Sequence, residues 1–147
     1  MKKHIQLDIK ELLFNLWEEI EASTDIRLAV NTIQGHYISA TLDCRYVPNV
    51  LLSFFHPLDV DLFVVGVREK TLVLEYGVVT PSLLHDRLVS DHIKNNTPHR
   101  ELEILTEEKR VLVHLDGFKK MKKLLSVAQP VDVTLENDTM MLNMILT

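Results

Sequence analysis

The chain has 147 residues, 46% of them hydrophobic and 25% charged, with four glycines, five prolines and a formal charge of −5. A chain of this length can bury roughly 68–70% of the surface its unfolded form exposes, so one real core is expected, and the composition excludes a disordered or fibrous protein. The acidic balance excludes wholesale coating of nucleic acid while leaving room for a local basic patch.

Lys3 is followed at once by polar and charged residues, and the longest apolar runs, such as Leu62 to Val67, are too short for a signal core or a membrane span. A cytoplasmic location is therefore expected. The single cysteine, Cys44, cannot form an internal disulfide or a thiolate metal site by itself, which agrees with a reducing compartment.

In chain order, His4-Ile5-Gln6-Leu7 alternates as a half-buried strand does. Asp8 to Ala22 carries Leu12, Leu13, Leu16, Trp17 and Ile20 on one helical face, with Glu11, Glu18, Glu19 and Glu21 turned to water. Asp8 with Glu11 three positions on predicts a capping box. Ile26, Leu28 and Val30 predict a strand, Gln34-Gly35 a turn, and Ile38, Ala40 and Leu42 a second strand. Asn49 to Phe55 is expected to be a further strand. Val60 to Gly66 and Lys70 to Val79 are expected to pair as a hairpin turning at Val67-Arg68-Glu69. Thr80-Pro81 then breaks the pattern, Ser82 to Asn95 predicts a short helix with Leu83, Leu84, Leu88 and Val89 inward, and Asn95 to His99 predicts a loop.

The C-terminal end repeats the opening order: Val111 to Leu115 a strand, Gly117 to Gln129 a helix, Val131 to Glu136 and Met140 to Leu146 strands. Leu13, Leu16, Trp17 and Ile20 fall on Met121, Leu124, Leu125 and Ala128 at a constant offset of 108. Ile26, Leu28 and Val30 fall on Val131, Val133 and Leu135 at 105, and Ile38, Ala40 and Leu42 on Leu142, Met144 and Leu146 at 104. This predicts a single domain over 1–147 with pseudo-repeats at about 3–55 and 110–147, an α+β fold with both helices on one face of antiparallel sheet.

That order resembles the domain repeated around DNA sliding clamps, of the bacterial polymerase III beta and proliferating cell nuclear antigen types. The best local portion runs from Val111-Leu112-Val113-His114-Leu115-Asp116-Gly117-Phe118 through Lys123-Leu124-Leu125 to Val131-Asp132-Val133-Thr134-Leu135-Glu136. The resemblance implies a non-enzymatic, DNA-clamp-like platform, an accessory of DNA replication or repair, whose helices face DNA and whose sheets serve subunit contacts and partner docking. It implies no catalytic residue, metal or cofactor. The runner-up is an α+β interaction or adaptor protein that never touches nucleic acid.

Lys119, Lys120, Lys122 and Lys123, with no acid between Gly117 and Gln129, are candidate phosphate contacts. The first helix departs from that pattern, setting Lys10 against four glutamates, and a lone domain would have to assemble head to tail to close a ring. Met140, Met141, Leu142, Met144, Ile145 and Leu146 make both faces of the last strand apolar. It is therefore expected either to be central in a sheet or to pair with another subunit, and these residues are the interface candidates. A protein partner or self-association is expected.

Weaker constellations read as structure. His85-Asp86 and Asp91-His92 offer imidazole and carboxylate ligands without a third or fourth at a recognisable spacing. Cys44 would need His36 or His56 beside it to act as a nucleophile. Gln6-Leu7-Asp8-Ile9 resembles the short peptide by which partners bind bacterial clamps, but it reads as a strand entering a helix. No glycine-rich phosphate loop, nucleophile elbow or paired-histidine zinc motif is present.

Overall fold

The structure is a computed structural model that describes residues 3–48, 58–78, 83–96, 101–136 and 139–147. It is α+β. Strand β1 (His4–Asp8) leads into α1 (Lys10–Thr24), followed by β2 (Arg27–Gln34), β3 (Tyr37–Asp43), β4 (Leu58–Arg68) and β5 (Thr71–Val78). Then come α2 (Leu83–Asn96), β6 (Leu102–Leu105), β7 (Arg110–His114), a 3-10 turn (Leu115–Gly117), α3 (Lys119–Leu125), β8 (Ala128–Glu136) and β9 (Thr139–Leu146). The expected strand at 49–55 lies outside the described residues.

Two antiparallel sheets form, one of three strands in the order β1-β9-β8 and one of six in the order β2-β3-β4-β5-β7-β6. Period-two alternation places Ile38, Ala40 and Leu42 on one face of β3, Leu58, Val60 and Val64 on β4, and Leu72 and Leu74 on β5, all buried. All of these except Ala40 belong to the same core cluster as Leu16 and Ile20 of α1 and Val89 and Ile93 of α2. β9 contributes Leu142 and Met144 to that core, β8 contributes Val133, and α3 contributes Met121 and Leu125.

The end of β1 is held by hydrogen bonds rather than by the expected capping box. Asp8 Oδ1 accepts the Lys10 amide at 3.0 Å and the Met140 amide at 3.4 Å. Ile9, fully buried, donates its amide to the Met140 carbonyl at 2.9 Å. The carboxylate is therefore spent on joining the two ends of the chain, and Glu11 faces solvent.

At the far end of α1, Glu21 is not one of the water-facing glutamates. Its Oε1 accepts Trp17 Nε1 at 2.9 Å and the Leu28 amide at 3.0 Å, tying the helix to β2. The buried Thr24 hydroxyl donates to the Ile20 carbonyl at 2.7 Å and accepts the Ile26 amide at 3.3 Å. Asp25 then ends the helix in the left-handed region, φ 60°, a conformation acidic and amide side chains tolerate better than most.

The helix expected over Gly117 to Gln129 is shorter, Lys119–Leu125. Leu115, expected to close a strand, begins the 3-10 turn instead. Downstream, Pro130 disfavours helical backbone at Gln129, so Ala128 and Gln129 already belong to β8. No strand is expected from the sequence at β6, which is only four residues long.

The expected order of elements at the two ends is present, but its hydrogen bonding differs between them. β1 pairs with β9, whereas β7, which holds the corresponding place, pairs with β5 and β6. β1 enters α1 and lies beside β9, β5 precedes α2 and lies beside β4, and α1 packs against α2. Among the described residues no helix is long and apolar enough to cross a membrane.

Candidate functional site

Lys119, Lys120, Lys122 and Lys123 are all exposed on α3, whose other face buries Met121 and Leu125. Among the described residues none of the four ammonium groups makes a hydrogen bond or an ion pair. The two long helices that pack together carry no such excess. α1 has one lysine against four glutamates in Ile9 to Ala22, a local charge of −3, and α2 balances Asp86 and Asp91 with Arg87 and Lys94.

β9 is central, flanked by β1 and β8, so the first of the two arrangements expected for it holds. Leu142 and Met144 are at most 1% exposed, and Met140 is buried with them. These three face inward and present no surface to a partner. Met141, Ile145 and Leu146 are half-buried. Met141 and Ile145 lie on the opposite face, among Gln6, Asp8, Gln129 and Thr134 of the neighbouring strands.

Gln6, Leu7 and Asp8 pair with Asn143, Leu142 and Met141, and Ile9 is buried, so this stretch is structural. His92 stands between the two long helices: Nε2 donates to the Thr24 carbonyl at 2.8 Å, and Nδ1 accepts from Asn96 Nδ2 at 3.2 Å. Both ring nitrogens are engaged by neighbouring groups, which leaves neither free for a metal. The side chains of His85 and Asp86 lie outside the described residues. Among the described residues no group of three or more His, Cys, Asp or Glu side chains could hold a metal ion.

Cys44 is fully buried next to Asp43, and burial first, then the Asp43 charge, pushes its thiol up to about 11. It is a thiol and not a thiolate at neutral pH, and so a poor nucleophile. His36 Nδ1 lies 3.2 Å from the Val64 carbonyl, and His56 lies outside the described residues.

One concavity of the fold has no counterpart in any local sequence pattern. Between α1, α2 and the inward face of the six-stranded sheet lies an apolar chamber of about 240 Å³. Leu13, Leu16, Trp17 and Ile20 of α1, Val89 and Ile93 of α2, and aliphatic side chains from β2 to β7 line it. Among the described residues its polar lining is sparse: Tyr76 and Ser90 lie with their hydroxyl oxygens 3.2 Å apart, Trp17 is bonded to Glu21, and Thr139 and Lys10 also contribute. Phe14 and Val30 also line it while 44% and 38% exposed, so it reaches solvent between α1 and the edge strand β2.

Such a wall gives water little to bond, because a buried water needs two to four polar partners. Alternating aliphatics on several strands are what the sequence makes visible, but the distance between layers is set by long-range pairing and is not written in any local pattern.

No protein-family model matches the chain, and neither the curated proteins nor the solved structures contain a match to it.

Proposed function

We propose that the protein is a non-enzymatic, clamp-like docking domain that contacts DNA through α3, acting as an accessory of replication or repair in the cytoplasm. The observation that carries this reading is the set of four exposed, unpaired lysines at 119, 120, 122 and 123 on a stretch without acids. Four such charges release counterions from phosphate when they bind, which is the electrostatic source of non-specific affinity for DNA. The clamp-like part of the proposal is supported by the two strand-helix elements, β1–α1 and β5–α2, each set beside the closing strand of the other half. The charge on α1 and α2 argues that phosphates meet α3 and not the paired helices.

A protein-docking or adaptor role, with a partner or a second copy, is favoured by a different observation. Tyr46, 53% exposed, lies under the guanidinium groups of Arg27 at 4.2 Å and Arg45 at 5.7 Å, and the 62% exposed Tyr37 packs on Phe63 at 4.8 Å. Exposed tyrosine and arginine are the residues that most often carry interface energy.

Fluorescence anisotropy with a labelled duplex separates the two. Four phosphate contacts predict that affinity falls about a hundredfold between about 50 and 200 mM salt. The double variant Lys119→Glu/Lys123→Glu is expected to lose binding at the lower salt while keeping its circular dichroism spectrum. Absence of duplex binding by the unaltered protein at low salt would leave the adaptor reading in its place.

A further inference from the structure

We infer that the chamber between α1, α2 and the six-stranded sheet is a binding site for a single-chain anionic amphiphile of medium length, such as a fatty acid of about ten carbons. Its size sets the length. An apolar cavity of about 150 Å³ holds the six carbons of benzene, so about 240 Å³ corresponds to about ten carbons in the same packing. That lies below the range of sites for drug-sized ligands, about 300–1,000 Å³, and excludes sterols and two-chain lipids.

The lining sets the chemistry of the tail. Side chains such as Leu16, Ile20, Val60, Leu74, Val89 and Ile93 offer no hydrogen bonds, so a polar ligand would lose its hydration without replacement.

The mouth sets the head group. Among the described residues Lys10 is the one charged residue that lines the chamber, and its Nζ lies 5.5 Å from the ring centroid of Phe14, one helical turn further on. Phe14 and Val30 mark where the chamber meets solvent. Lys10 makes no ion pair among the described residues. A carboxylate held there keeps its hydration on the outer side while its chain lies inside, which matches the division of the wall into one cationic rim position and an apolar interior.

The test uses the whole protein with sodium decanoate and 1-decanol, both kept below the concentrations at which they aggregate, and reads calorimetric affinity together with the melting temperature. Decanoate is expected to bind saturably and raise the melting temperature, as any ligand selective for the folded state does. Lys10→Gln, on the partly exposed first turn of α1, is expected to weaken decanoate about tenfold and leave decanol unchanged, the effect of losing one charge-assisted contact. Val30→Trp, at the exposed mouth, is expected to weaken both. Lack of saturable binding by either compound overturns the site, and so does decanoate binding that neither substitution alters, because that would be adsorption elsewhere. Equal response of decanoate and decanol to Lys10→Gln overturns the assignment of the head group.

Discussion

Replacing Leu142 by alanine is expected to destabilise the protein by about 3–4 kcal/mol and lower its melting temperature by roughly 10 °C. Leu142 is fully buried in the middle of β9, between Leu7 of β1 and Val133 of β8. Truncation removes its transfer energy and leaves a cavity that three hydrogen-bonded strands cannot collapse to fill. The loss should be independent of protein concentration. A strand whose apolar residues served chiefly to join subunits would respond differently, with a melting temperature that depends on concentration and a change in solution mass. Chemical denaturation at two protein concentrations, read beside Ile145→Ala on the opposite and half-buried face, distinguishes these outcomes. The Ile145 substitution should cost well under half as much.

The second large effect acts through the backbone alone. Gly66 interrupts the register between β4 and β5 with φ at 145°, and a Cβ placed on it would meet nothing within 4 Å. Sterically there is room, yet the conformation itself is one that side-chain-bearing residues scarcely adopt. Gly66→Val is therefore expected to cost about 2–3 kcal/mol, from a bulge forced out of its preferred geometry. Gly77, in β5, also has open space around its Cβ direction, but it has no such φ. Gly77→Ala should change the urea midpoint little, and a comparable loss at both positions would show that packing and not backbone conformation decides.

Much of the secondary structure was legible because it rests on local periodicity. The helical spacing of Leu13, Leu16 and Ile20, the alternation through Ile38, Ala40 and Leu42, and the hairpin of β4 and β5 are short-range patterns, and each formed. The hairpin, however, turns at Glu69-Lys70 and not at Val67-Arg68-Glu69, because Val67 and Arg68 still pair with Leu72 and Thr71. Errors arose where a side chain had a distant partner. Asp8 reads locally as a helix cap, but it bonds to Met140, 132 residues away. Glu21 reads as a solvent-facing charge on a polar stripe, but the Leu28 amide and the Trp17 indole claim it. Apolarity on both faces of β9 pointed equally to a central strand or a covered edge, and only the pairing with β1 and β8 decides between them.

The correspondence of the chain's two ends illustrates the same limit. Similar apolar spacing placed α3 opposite α1, whereas the hydrogen-bonding order places α2 beside it, because strand pairing and not helix periodicity fixes which elements become neighbours. The lysines of α3 were plain in the sequence and are exposed, since an uninterrupted cationic stretch has few ways to be buried. The chamber was not legible at all. Its described lining comes from ten elements, and nothing in any one of them marks a gap.

The proposed phosphate contact lies on α3, and an NMR titration of the isotope-labelled chain with a short duplex reads that contact residue by residue. The expected result is a set of salt-sensitive amide shifts on Lys119 to Leu125 and the adjoining residues of β8, with α1 and α2 unmoved. Shifts along α1 and α2 would place DNA against the paired helices and contradict the assignment to α3, and a spectrum left unchanged by the duplex at low salt would contradict DNA contact altogether.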